Sequence, residues 1–191
     1  RQELLHGNKI AALDFCHLTA DKPVILIIGG SLGSVAVNNA VRAVLPELLK
    51  DFHVVHLCGK GKIDDSLKNL PGYVQFEYIK EELKDLFALA DIVISRAGAN
   101  AICELLALHK PTLLIPLSAN ASRGDQILNA RSFERQGFSL VLEEENLTNT
   151  SLLDTIHKLY NNRESYINAM KKSSQQDSID TIIHLIEQAA K

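Results

Sequence analysis

Cysteine is scarce in this chain. Its three cysteines, Cys16, Cys58 and Cys103, stand far apart and form no C-x-x-C pair. An odd, scattered count fits a reducing compartment better than a disulfide framework. Excess positive charge is also missing: 20 Lys and Arg against 23 Asp and Glu leave a formal net charge of -3. A general nucleic-acid binder, which is normally strongly basic, is therefore not expected. No apolar run approaches the roughly 20 residues of a membrane-spanning helix. The longest candidate, Val24-Ile25-Leu26-Ile27-Ile28, is strand-sized. The chain opens Arg1-Gln2-Glu3-Leu4-Leu5, with neither an initiating Met nor a signal-peptide pattern. It reads as a piece of something longer, and the N-x-[ST] triplets at Asn120, Asn146 and Asn149 read as chance. His53 and His56 lie three apart on an expected strand, face opposite sides and cannot share a metal ion.

What is present is an ordinary globular composition, 46% hydrophobic and 23% charged over 191 residues, enough for one sizeable core. Short Val- and Ile-rich runs over 24–28, 54–58, 73–78, 92–95, 112–115 and 139–142 read as strands buried on both faces. Between and after them, helices are expected over 34–50, 81–90, 100–108, 125–136, 152–160, 163–172 and 179–190. The segment 1–22 reads as a lead-in and 23–191 as the domain proper. The alternation predicts right-handed βαβ crossovers and an α/β fold with an open, doubly wound parallel sheet. In such folds ligands bind beyond the carboxyl ends of the strands. Four loops fall there, 29–33, 78–80, 96–100 and 116–126, and they hold much of the chain's glycine and polar content.

The first loop, Gly29-Gly30-Ser31-Leu32-Gly33-Ser34, joins a strand to a helix. Glycines permit close backbone approach, and the helix N-terminus offers free amides and partial positive charge, which suits phosphate. A turn that is glycine-rich for packing alone is the plainer alternative. The loop is not a P-loop, because no Lys follows the glycines, and Gly59-Lys60-Gly61-Lys62 lacks that spacing. Nor is it a dinucleotide fingerprint: the first glycine position would fall at Ile28, and the second strand ends Leu57-Cys58-Gly59 with no acid. The second loop, Ser95-Arg96-Ala97-Gly98-Ala99-Asn100, enters a helix that carries Glu104 one turn inside. A carboxylate there suits a ribose diol, or else serves as a helix-dipole partner or surface charge. In the third long loop, Asp125 and Gln126 suit hexose hydroxyls, and Asp125 also reads as a helix N-cap. Cys103 is expected to pack within its helix, and Lys60 to Lys62 to form a solvated loop.

These stretches, 29–34, 95–104 (SRAGANAICE) and 122–130 (SRGDQILNA), resemble the carboxyl-terminal half of MurG-type enzymes. Those are the UDP-N-acetylglucosamine transferases that make lipid II in bacterial peptidoglycan synthesis. Arg1 to Leu5 resembles the segment joining their two halves. The resemblance covers nearly the whole chain and implies a Rossmann-like domain, one half of a GT-B glycosyltransferase. It implies that Ser31 contacts the diphosphate together with the amides at Gly30 and Gly33, and that Ile79 meets uracil through its backbone. It further implies that Gly98, Ala99 and Asn100 bring helix amides to phosphate, Glu104 binds ribose, Asp125 and Gln126 read the N-acetylglucosamine, and Arg1 lies near the donor. No metal or other cofactor is implied beyond UDP-N-acetylglucosamine as donor substrate. The base, the lipid-linked acceptor site and the peripheral docking to the cytoplasmic face of the membrane would belong to an amino-terminal half, leaving this fragment soluble and inactive alone. The chain departs from the family at Ala101 (often Thr), Cys103 (often Ser) and Asp125-Gln126 (a Gln pair in some members). Diacylglycerol glucosyltransferases, two-subunit dolichol-linked transferases and a non-catalytic nucleotide-binding module are the alternatives.

Overall fold

The computed structural model describes residues 2–30, 33–118 and 124–173. Arg1, Ser31 and the helix expected over 179–190 lie outside the described residues. Six parallel strands form one sheet: β1 (Val24–Ile28), β2 (His53–Leu57), β3 (Tyr73–Phe76), β4 (Ile92–Ser95), β5 (Thr112–Leu114) and β6 (Ser139–Val141). Their order is β3-β2-β1-β4-β5-β6, the doubly wound arrangement of a Rossmann-like domain. Among the described residues, seven α-helices cover the two faces: α1 (Lys9–Cys16), α2 (Val35–Asp51), α3 (Leu83–Leu89), α4 (Ala99–Ala107), α5 (Asp125–Arg135), α6 (Asn149–Asn161) and α7 (Arg163–Lys171).

The continuous apolar runs are explained by this layering. Along β1, Ile25 and Ile27 point to one face and pack with Val41, Leu45 and Leu48 of α2 and Leu152 and Ile156 of α6. Val24 and Leu26 point to the other, with Ala12 and Cys16 of α1 and Leu86 and Leu89 of α3. A strand buried on both sides cannot show the apolar–polar alternation of a half-exposed one. Residues 2–22 are folded on that second layer: Leu4, Ala12 and Cys16 are buried, and the Asn8 side chain caps α1 while the Asn8 backbone N–H donates to the Asp85 carboxylate.

Several boundaries differ from expectation. β3 stops at Phe76; the chain then turns so that Tyr78 is exposed and Ile79 buried. α6 starts three residues early because Thr148 and Ser151 form a reciprocal capping box. Lys62 is only half-exposed, and its ammonium reaches the Gly33 carbonyl at 3.3 Å.

A polar chain runs through the core behind the carboxyl edge. His56 is fully buried; its Nδ1 lies 2.9 Å from the Tyr73 hydroxyl and its Nε2 3.0 Å from Asn38 Oδ1. Asn38 Nδ2 donates to the Cys58 carbonyl at 2.9 Å, so Asn38 Oδ1 faces the ring as acceptor. Nε2 therefore carries the proton and Nδ1 accepts from Tyr73. Burial, helped by the Arg42 charge, pushes the His56 pKa down to about 3. The unfolded chain then takes up a proton near pH 6.5 that the folded chain refuses. Stability from this group is complete above 6.5 and falls by about 1.4 kcal/mol per pH unit below it. His157, raised by the Leu153 carbonyl and Asp51, acts with the opposite sign but is largely solvent-screened. Urea denaturation should accordingly show a lower midpoint at pH 5 than at pH 7; equal midpoints would contradict the neutral buried imidazole.

Candidate functional site

Strand order reverses between β1 and β4: α2 leads from β1 to β2 on one side, while β4 lies on the other. The loops leaving Ile28 and Ser95 therefore diverge and open a crevice at the carboxyl edge. A cavity of about 720 Å³ occupies it. Ile28, Leu57 and Ser95, the last residues of β1, β2 and β4, form its floor. Ile79, Leu83 and Phe87 make an apolar wall, and Asn100, Ala101, Cys103 and Glu104 line the α4 side.

The β1 loop is tight. Gly33 N donates to Gly30 O at 3.0 Å, and both glycines have positive φ, +88° at Gly30 and +68° at Gly33. A Cβ on Gly33 would stand 1.9 Å from the Cys58 carbonyl oxygen, so the loop lies against the end of β2 at a distance only glycine allows. Ser34 then caps α2, accepting from Val37 N at 3.3 Å.

α4 begins differently. Its N-cap, Gly98, makes no side-chain cap bond, and the first helical backbone bond runs from Ile102 N to Gly98 O. The amides of Ala99, Asn100 and Ala101 precede that bond and stand at the positive end of the helix dipole. Gly98 has φ -67° and ψ 142°, and a Cβ there would meet nothing within 4 Å. Neither backbone angle nor packing space therefore demands glycine at this N-cap, whereas a ligand approaching the amides does. Glu104 sits one turn further in, half-buried on the rim.

Of the residues singled out in the sequence, Gly30, Ile79, Asn100 and Glu104 line this one cavity. Gly98 and Ala99 stand at the α4 mouth beside it. Gly33 and Gln126 line a second hollow of about 590 Å³, together with Ser34, Arg96, Leu117 and Glu144. Gln126 Oε1 accepts from Leu117 N at 3.1 Å. Asp125 is the first residue of α5 and is exposed; it lines neither space. It is not the helix cap, a position Gly124 takes at φ +82° with no side-chain bond. Cys103 is exposed on the cavity rim rather than packed. Among the described residues no group of His, Cys, Asp and Glu is placed to hold a metal ion.

Sequence reasoning missed the group that joins these loops. Arg96, with its side chain 11% exposed, donates from Nη1 to the carbonyls of Ile115 and Pro116 at 3.1 Å and to Glu144 at 2.5 Å, and from Nη2 to Ser34 Oγ at 2.6 Å. Its place directly after a buried strand was a usable signal. Glu144, 48 residues away, carried none. Asn129 adds a further tie, donating from α5 to the Ala97 carbonyl at 3.0 Å.

The glycosyltransferase family 28 C-terminal domain model matches residues 24–186. A Lachnospira eligens protein named UDP-N-acetylglucosamine--N-acetylmuramyl-(pentapeptide) pyrophosphoryl-undecaprenol N-acetylglucosamine transferase is 68% identical over 191 residues, 100% of this chain and 54% of that protein. A Geobacillus thermodenitrificans protein of the same name is 56% identical over 191 residues, again 54% of its length. The chain thus spans about half the length of the curated relatives it matches. The crystal structure of Acinetobacter baumannii MurG superposes with a TM-score of 0.72 at 24% identity, covering 95% of this chain and 55% of that one. The glycosyltransferase VinC, in complex with DTDP, gives 0.59 at 18%, covering 92% and 44%; both likenesses concern the fold. With its matched segment spanning the whole sheet, the chain belongs to the glycosyltransferase family 28 C-terminal domain family.

Proposed function

We propose that this chain is the donor-binding half of an inverting GT-B glycosyltransferase that moves N-acetylglucosamine from UDP-N-acetylglucosamine to lipid I, forming lipid II. The observation that carries the reading is the cavity at the sheet's switch point, with the open N-terminus of α4 at its mouth and Glu104 one turn inside. Its apolar wall suits a flat base, and the uracil lies near the backbone of Ile79. Glu104 accepts from the ribose hydroxyls. The diphosphate meets the amides at the start of α4 and those of the β1 loop, including Gly30, Ser31 and Gly33. Asp125 and Gln126 bind the hydroxyls of the sugar, and Arg1 contributes to donor binding.

In the reaction the muramyl 4-hydroxyl attacks the anomeric carbon of the sugar. The C–O bond to the diphosphate breaks, configuration inverts, and UDP leaves. Helix N-termini stabilise the charge that grows on the leaving diphosphate, so the chemistry requires no metal ion. The base and the lipid-acceptor site come from an amino-terminal half, which also docks the enzyme to the cytoplasmic face of the membrane. Residues 1–22 are the lead-in from that half.

The reading makes a calorimetric prediction. UDP and UDP-N-acetylglucosamine should bind this chain with sub-millimolar dissociation constants, and UDP-glucose more weakly than the acetylated donor. Millimolar or weaker affinity for all three would leave a scaffold module as the better account. Tighter binding of UDP-glucose would favour a glucosyltransferase.

A further inference from the structure

Glu144 lies on the turn after β6, in a segment that contributes nothing to the 720 Å³ cavity. It lines the neighbouring hollow, and its carboxylate holds Arg96 at 2.5 Å. Arg96 is in turn the point where four carboxyl-edge segments meet. It follows β4, bonds two carbonyls after β5, reaches Glu144 after β6, and donates to the hydroxyl of Ser34 at the head of α2. Ser34 is the residue that ends the glycine loop and caps its helix.

We propose that Glu144 is a positioning residue for the diphosphate end of the donor site, acting through Arg96 on Ser34 and so on the β1 loop. The proposal rests on the donor-site reading above. The physical argument concerns how a guanidinium is fixed. Nη1 of Arg96 donates to two carbonyls and to Glu144, and the carboxylate is the charged acceptor of the three and the one at the shortest distance, 2.5 Å. That charge-assisted bond sets the orientation of the guanidinium and so aims Nη2 at Ser34. With Ser34 Oγ held from outside by Arg96 and from inside by Val37 N, the first turn of α2 has one orientation. Amides aimed at a phosphate lose interaction energy steeply as they tilt. The nucleoside end is untouched, because neither Arg96 nor Glu144 lines the cavity that would receive base and ribose.

The separation of the two ends supplies the test. Uridine and UDP are titrated by chemical-shift perturbation into the wild-type chain, Glu144→Ala and Glu144→Gln. Glu144→Ala should leave uridine affinity unchanged and weaken UDP about tenfold, the size expected for losing one charge-assisted bond. Glu144→Gln keeps an oxygen in the same place for Arg96 and should restore UDP binding to within about twofold of wild type. A merely structural role would lower uridine and UDP together. That outcome, an unchanged UDP affinity in Glu144→Ala, or a Gln variant no better than Ala, each overturns the proposal while leaving the donor-site reading intact. A wild-type chain that binds UDP no better than uridine overturns both.

Discussion

Replacing Glu104 with alanine is expected to weaken UDP binding roughly a hundredfold while shifting the melting temperature by only a few degrees. Two hydrogen bonds from a ribose diol to one carboxylate are each worth at least about 1.5 kcal/mol, because the acceptor is charged. Their joint loss, about 3 kcal/mol, is two decades in the dissociation constant. The stability cost is smaller because Glu104 is half-buried on the rim and alanine is the strongest helix former, so nothing in the core of α4 is emptied. Calorimetry with 2′-deoxy-UDP closes the argument. The wild-type chain should bind it more weakly than UDP, and the alanine variant should barely tell the two apart. If removing the 2′-hydroxyl costs the variant as much as it costs the wild type, Glu104 does not hold the ribose.

How far this site could be read from the sequence depends on how local its causes are. The strands over 24–28 and 92–95 were legible because burial on both faces writes itself as a solid apolar run, and β1 and β4 occupy those residues. Once these two strands were placed, the loops after them had to lie at the carboxyl edge, which brought Gly30, Asn100 and Glu104 into one cavity. Features set by partners distant in sequence were not legible. The Arg96–Glu144 pair spans 48 positions and depends on β5 and β6 lying side by side. Cys103 looked like a packing residue because its helix is apolar, but the apolar stripe belongs to Ile102 and Leu105, and Cys103 falls on the cavity rim. Asp125 looked like a cap because Asp commonly is one. Gly124 in the left-handed region moves the cap back one residue and leaves the carboxylate in solvent. For Cys103, and for Asp125 as a cap, the direction of the side chain was not legible, because direction is fixed by packing rather than composition.

The two glycines at the mouths of the helices should differ sharply in what the same methyl group does to stability. Gly33→Ala is expected to destabilise the chain by about 3 kcal/mol or more, from two additive causes. The left-handed φ of +68° costs a residue with a Cβ about 1 kcal/mol. The new Cβ would also fall 1.9 Å from the Cys58 carbonyl oxygen, which is backbone and is held in place by Asn38. Relief requires the β1 loop to lift off the end of β2, and that movement carries with it the amides proposed to meet the diphosphate, so UDP binding should fall as well. At Gly98 the backbone is already in a region alanine prefers and the space ahead is empty. Gly98→Ala should therefore stay within about 1 kcal/mol of wild-type stability, the stiffer unfolded chain offsetting alanine's poorer fit as an N-cap. It should nonetheless weaken UDP, because in the proposed site the methyl stands in the open space through which a phosphate approaches the α4 amides. Urea denaturation and UDP titration on the two variants measure both halves of the contrast. A Gly98→Ala chain that binds UDP like wild type would place the diphosphate away from the head of α4. A Gly33→Ala chain of normal stability would mean that the contact between the glycine loop and β2 does not hold the loop in place.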